Sequence, residues 1–301
     1  MRSELKEKDY EILRTVAEYR ILTAHQVAIL LDRNKQALRR KLALLENQGF
    51  LLAQFHELGR RQGRPERLFS LTEQGIDLLK SQGVLTEKTP CEKVLAESIS
   101  SVDHQLMTNW FWIHLIHLER VHERICVEFL SDTSPFLPEV DSGHCFITDS
   151  VFDTARKQIF TPDGVFIIRD TAENKGLLFF LEVDCGSETL ASPARHIKDV
   201  RQKVKNYSSY FDNLGYQRYE EFWNCRLNGF RLLFLTNTLS RLNNLCRLVR
   251  EMPPSDFIWL AQSQAMFKEG VSDKIWIRGG NIESSRQSVI GSLSYQAPLP
   301  A

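Results

Sequence analysis

Three carboxylates are the side chains in this sequence best placed for chemistry. Asp163 lies in Thr161-Pro162-Asp163-Gly164, and Glu182 and Asp184 close the run Phe179-Phe180-Leu181-Glu182-Val183-Asp184. Between them, Val165-Phe166-Ile167-Ile168 and Leu177-Leu178-Phe179-Phe180-Leu181 are short β-branched and aromatic runs that read as buried strands. The polar break from Arg169 to Gly176 reads as a hairpin loop. Asp163 then stands at the mouth of one strand, with Glu182 and Asp184 at the end of its neighbour. Residues two apart on a strand share a face, so Glu182 and Asp184 point the same way. Three acids so placed could hold a hard divalent cation such as Mg²⁺.

The elements that would carry such a site belong to an ordinary globular chain. Its 301 residues suffice for two domains, and 43% hydrophobic with 25% charged residues is typical of a soluble protein. No apolar run approaches the ~20 residues of a membrane span. The charged start, Met1 to Lys8, lacks a signal-peptide core, and the six cysteines are scattered without a CxxC pair. Both features lead to the expectation of a reducing cytoplasm and no membrane. Net charge is zero, but residues 33–67 hold nine Lys/Arg against three Asp/Glu. A locally basic segment in a neutral chain is the footprint of a small nucleic-acid-binding module.

That segment has readable punctuation. A first helix runs from Lys8 to Tyr19, and Thr23…Gln26 forms a capping box for a second, short helix. Asn34 is suited to cap a third helix, Lys35 to Gln48, with Leu38, Leu42 and Leu45 inward and Lys35, Gln36, Arg39 and Arg40 outward. Two strands, residues 50–55 and 67–71, flank a tip bearing Arg60, Arg61 and Arg64, and Thr72 opens another helix. Three helices, a hairpin and a helix is the order of a winged helix-turn-helix, and Leu22-Thr23…Arg39-Arg40…Leu45…Gly49-Phe50…Leu71-Thr72…Gly75 resembles many bacterial winged-helix proteins. The resemblance implies that the third helix enters the major groove and the wing meets phosphate.

Residues 82–91 lose periodicity and read as a linker. Beyond them a long helix is expected over residues 92–122, then a strand at 125–129 and an irregular stretch over 131–156. His114 and His117 on the long helix are three apart, yet two imidazoles without a neighbouring acid or thiol make a poor metal site, so they read as packing or surface residues. After the acidic strands, Pro193 to Phe211 reads as a helix with Lys198 and Lys203 among its cations. A strand, a helix and two further strands complete an α/β core ending near residue 278, and 279–301 reads as a flexible tail.

Asp163…Glu182-Val183-Asp184 with a basic helix behind it resembles the PD-(D/E)XK, restriction-endonuclease-like core. The winged helix, Pro162-Asp163-Gly164, Phe180 to Thr189 and Lys203…Tyr207…Tyr210 together resemble the replication-relaxation family of plasmids and other mobile elements. The nuclease resemblance implies Mg²⁺ on Asp163 and Glu182 and a catalytic lysine two residues after the glutamate. Position 184 is Asp instead. Either Asp184 is a further ligand or base, or Lys198 or Lys203 supplies the positive charge, or the fold has lost its chemistry.

The expected architecture is therefore a winged helix at residues 1–81, a linker at 82–91, a nuclease-like α/β domain at 92–278 and a tail at 279–301. The leading expectation is a DNA-binding accessory or regulatory protein of a mobile element, acting in replication, transfer or transcription control. The alternatives are a Mg²⁺-dependent endonuclease and a protein-docking module with an inactive core. Double-stranded DNA is the expected partner, with replication or transfer proteins and a second copy of the chain as further candidates.

Overall fold

A computed structural model describes residues 5–56, 66–138, 144–153, 156–172, 175–186, 189–190 and 199–291. The chain forms two compact units, residues 1–113 with 133–138 and residues 114–132 with 139–301.

In the first unit, α1 (Glu7–Tyr19) buries Ile12, Leu13, Val16 and Ala17 along one stripe. A two-residue strand, β1 (Leu22–Thr23), leads into α2 (Ala24–Leu30), where Thr23 and Gln26 close the expected capping box. In α3 (Lys35–Asn47), Asn34 Oδ1 accepts from the amides of Gln36 and Ala37, and Leu38, Leu42 and Leu45 are buried. The hairpin β2 (Leu51–His56) and β3 (Glu66–Leu71) pairs in register from Leu51↔Leu71 to His56↔Glu66, and β1 adds to its other edge. Thr72 caps α4 (Glu73–Ser81), where Gly75 is required because a Cβ would stand 2.4 Å from the Phe50 carbonyl oxygen. Helix, strand, helix, helix, hairpin and helix, closed by a three-stranded sheet, make this a winged helix-turn-helix.

The long helix begins later than its sequence suggests. α5 spans Val102–Val121, and residues 91–98 form two short 3₁₀ turns instead. The cause is Arg20, a buried guanidinium that takes the carbonyls of Glu92 at 3.1 Å and Leu95 at 2.6 Å, and also contacts the Ser98 hydroxyl. Those carbonyls are turned toward the arginine rather than along a helix axis.

The second unit is built on one mixed six-stranded sheet. Its strands are β4 (Ile125–Ser131), β7 (Gly164–Asp170), β8 (Lys175–Asp184), β9 (Phe230–Thr236), β10 (Ile258–Gln262) and β11 (Ile277–Arg278). The order is β11-β10-β9-β8-β7-β4, with β8, β9 and β10 parallel and the remaining pairs antiparallel. The intervening elements are α6 (Val200–Asp212), α7 (Arg218–Trp223), α8 (Leu239–Arg250) and α9 (Ser263–Glu269). α6, α7 and α8 pack on one face through Val204, Tyr207, Tyr210, Trp223, Leu245 and Val249, against Phe180, Phe230 and Leu232. On the other face Phe129, Phe166 and Phe179 stack in a row, with centroids 5.8 and 4.8 Å apart.

Two expectations are corrected here. The stretch read as irregular contains a separate hairpin, β5 (Asp149–Asp153) with β6 (Arg156–Phe160), held by buried Val151 and Phe160 while Phe152 is 70% exposed. Five-residue strands among prolines and glycines give too little alternation to read. The segment after residue 279 is not a loose tail along its first part. Gln287 pairs with Trp276, and Val289 and Ile290 are buried. Residues 292–301 lie outside the described part.

Candidate functional site

On the winged helix, Asn34 starts α3 at a turn and the buried leucines roll the helix so that the other side faces solvent. Gln36, Arg39 and Arg40 are exposed there and Lys35 is half-buried. Neighbouring cations are engaged within the unit: Arg33 with Glu11, Lys41 with Asp9 at 2.7 Å, and Arg67 with Glu46. Among the described residues no carboxylate lies within ion-pair distance of Lys35, Arg39 or Arg40. Three cations without internal partners therefore share the solvent side of the helix. Arg60, Arg61 and Arg64 lie outside the described residues.

In the second unit the acidic stretch folds as its pattern suggests, and its partners decide its chemistry. The backbone N–H of Asp163 donates to the Leu181 carbonyl at 3.1 Å, and its Oδ2 accepts from the Val183 amide at 2.6 Å. Asp163 thus extends the β7–β8 pairing by one side-chain link. Gly164 follows because a Cβ there would stand 2.4 Å from the Phe129 ring.

Glu182 and Asp184 project from β8 toward the helical face, and both are buried, at 3% and 5% exposure. Lys203 and Tyr207, one turn apart on α6, both reach Glu182. The Lys203 ammonium lies 2.8 Å from Oε2, and the Tyr207 hydroxyl donates to Oε1 at 2.7 Å. Burial drives the Glu182 pKa up to about 7, and the charge of Asp163 adds to that rise. Lys203 and the hydrogen bonds oppose it without cancelling it. The same burial, with the Glu182 charge, holds the Tyr207 hydroxyl well above its ordinary value, so it stays a donor.

Asp184 has a different cation. Arg241, in the first turn of α8, places its guanidinium 2.8 Å from Oδ2. The Gly186 amide donates to Oδ1 at 2.8 Å. Register explains the meeting: Asp184 pairs with Thr236 at the end of β9, and α8 starts three residues later.

Of the five residues expected in a catalytic group, Asp163, Glu182 and Lys203 come together, Asp184 is tied to Arg241, and Lys198 lies outside the described residues. The three acids do not suit a resident Mg²⁺ in this arrangement. Both oxygens of Glu182 and of Asp184 already have protein partners, and one oxygen of Asp163 holds a backbone amide. No three His, Cys, Asp or Glu side chains among the described residues form a metal-holding group.

His114 packs edge-on against the Phe267 ring. His114 is held down to about 4 by burial and then by His117, so it is neutral at physiological pH. The sequence reading missed Arg241. Its only signal is a cation just after the strand that runs beside β8, visible once the parallel β8–β9 pairing is known.

Comparison with known proteins adds a family. A family model described as Replication-relaxation matches residues 13–223. No curated protein matches the chain significantly. Among solved structures, wild-type MarR from E. coli is similar at 16% identity with a TM-score of 0.24, over 34% of this chain and 76% of that one. The zinc-responsive MarR family member ZitR from Lactococcus lactis is similar at 21% identity with a TM-score of 0.23, over 38% and 76% of the two chains. Scores this low bear no weight, and the winged-helix assignment stands on its own element order and strand pairing. Among the described residues no helix is long and apolar enough to cross a membrane.

Proposed function

The chain belongs to the replication-relaxation family, and on that premise we propose that it is a DNA-binding accessory or regulatory protein of a mobile element. Its winged helix carries duplex DNA, with α3 in the major groove. Lys35, Gln36, Arg39 and Arg40 meet bases or phosphates, and Arg60, Arg61 and Arg64 on the wing meet phosphates. The observation that carries this reading is the set of cations on the exposed side of α3 that have no carboxylate partner among the described residues, while Arg33, Lys41 and Arg67 are each paired. Exposed arginines often do nothing but face water. Here they coincide with the element that the fold uses for recognition. Titration of duplex DNA against the wild type and an Arg39→Ala/Arg40→Ala variant tests it. Equal affinities and equal salt dependence would sink the reading.

In this proposal the second unit is a nuclease-like fold that works without cutting, in replication or transfer, and serves as a platform for other proteins. Support comes from the acidic cluster, whose carboxylates are held by Lys203, Tyr207 and Arg241 as a buried polar network. The competing reading is a Mg²⁺-dependent endonuclease, and one observation favours it: the Lys203 ammonium at 2.8 Å from Glu182. A lysine beside an acidic strand end is what that chemistry uses to stabilise developing negative charge. Against it stand the engaged oxygens of Glu182 and Asp184. Incubating supercoiled plasmid with the protein and Mg²⁺ or Mn²⁺, beside an Asp163→Ala control, separates the two.

A further inference from the structure

At the far end of the parallel strands from Glu182 and Asp184, the second unit carries an open pocket of about 920 Å³. It is lined by the beginnings of β8, β9 and β10, by β11, and by the loop before β9. Among the described residues its charged lining is Lys175, Arg226, Arg231 and Arg278 against one acid, Asp256. Asp256 is already paired with Arg278 at 3.2 Å.

Arg231 is the informative residue. It stands on β9 between Phe179 and Trp259, half-buried in the sheet face, with its guanidinium 5.2 Å from the Trp259 ring centre. Among the described residues no carboxylate pairs with Arg231 or with Arg226. Burial and the charge of Arg278 both push Arg231 below its ordinary pKa. A half-buried guanidinium with a second cation beside it, and Asp256 as the one described acid in the lining, suits an anion from outside. Guanidinium forks match phosphate oxygens in pairs, which makes arginine the residue of choice for that anion.

The rest of the lining is mixed, with Asn228, Gln287 and Ser288 as well as aromatic side chains. Phe211 and Phe257, both half-buried, also line it; they stack at 5.3 Å on the helix-covered face, while Arg231 stands on the opposite face with Phe179 and Trp259. The volume falls within the range of about 300–1,000 Å³ typical of small-molecule sites. A bare inorganic anion would leave most of it empty.

We propose that this cavity binds a nucleoside phosphate, with its phosphates on Arg226, Arg231 and Arg278 and its ring system against the Phe211–Phe257 wall. The source is either a free nucleotide or the phosphorylated end of a DNA strand, since both present the same groups. The site is distinct from the winged helix and does not rest on the duplex-binding reading.

Calorimetric titration of the full chain with ATP, adenosine, and a short single-stranded oligonucleotide bearing a 5′-phosphate or a 5′-hydroxyl tests it. Binding of ATP but not adenosine is expected, weakened on the order of tenfold or more by Arg226→Ala and by Arg231→Gln. Arg226 is exposed, so its variant keeps the test valid if the Arg231 change disturbs folding. ATP binding with no response to either oligonucleotide supports a free nucleotide, and preference for the phosphorylated oligonucleotide supports a strand end. Equal binding of adenosine and ATP overturns the proposal. So does the absence of binding by both ATP and the phosphorylated strand at millimolar concentration, or affinity indifferent to both substitutions.

Discussion

Arg241 closes on Asp184 with its Nε and one terminal nitrogen each 2.8 Å from the same carboxylate oxygen, and both side chains are nearly buried. The position where a nuclease-like motif would carry a cation thus holds an anion whose cation arrives 57 residues later in the chain. The pair also ties the end of β8 to the start of α8. Removing one partner from a buried ion pair leaves an uncompensated charge. Arg241→Ala should therefore destabilise the protein by about 3 kcal/mol or more. The double variant with Asp184→Ala should lose less than the two single losses combined. Urea unfolding of the wild type and the three variants measures both, and strict additivity would mean that the two groups do not depend on each other.

Duplex binding through α3 has a salt signature. Each phosphate contact removed should lower the slope of log K against log salt by about 0.9. Arg39→Ala and Arg40→Ala are expected to weaken binding at 50 mM salt and to weaken it less at 200 mM. Lys41→Ala serves as the contrast, because Lys41 is already paired with Asp9 at 2.7 Å and should leave the slope alone while affecting folding stability. An altered slope in the Lys41 variant with none in the arginine variants would reverse the assignment.

The winged helix was legible because its signals are local. Thr23 with Gln26, Asn34 at the start of α3, and Thr72 before α4 each mark a boundary within three residues of where the chain turns. The strands around Asp163 and Glu182 were legible for a similar reason, since continuous apolar runs flank both acids. Long-range contacts were not. Arg20 breaks the helical pattern of residues 91–98 from more than 70 positions away. Arg241 reaches Asp184 only through the β8–β9 crossover. The cation-lined cavity draws on β8, β9, β10 and β11, so no window of sequence could show it.

Glu182 gives the fold a pH dependence of definite sign. Its folded pKa, about 7, lies above its ordinary value of 4.5, so the folded chain keeps a proton that the unfolded chain releases. The associated stability is present below pH 4.5 and is lost as pH rises through 7, by at most about 3 kcal/mol. Asp149, raised from 3.8 to about 6 chiefly by burial, acts in the same direction over a lower window. Thermal melts at intervals from pH 5 to 8 should show the wild type losing stability relative to Glu182→Gln across that range. Parallel curves for the two proteins would mean that Glu182 titrates near its ordinary value.

Cleavage is the outcome with most at stake. If the second unit were a working nuclease, supercoiled plasmid would relax or linearise with Mg²⁺ or Mn²⁺, and Lys203→Ala would abolish the effect by removing the only described ammonium seen against Glu182. The engaged carboxylates lead to the opposite expectation, with no nicking by wild type above the level of an Asp163→Ala control. The Lys203→Ala variant should then show its effect in stability, since it leaves a buried carboxylate with only Tyr207 as partner. Nicking by the wild type that disappears in both variants would overturn the non-catalytic reading and restore Asp163, Glu182 and Lys203 as a reaction centre.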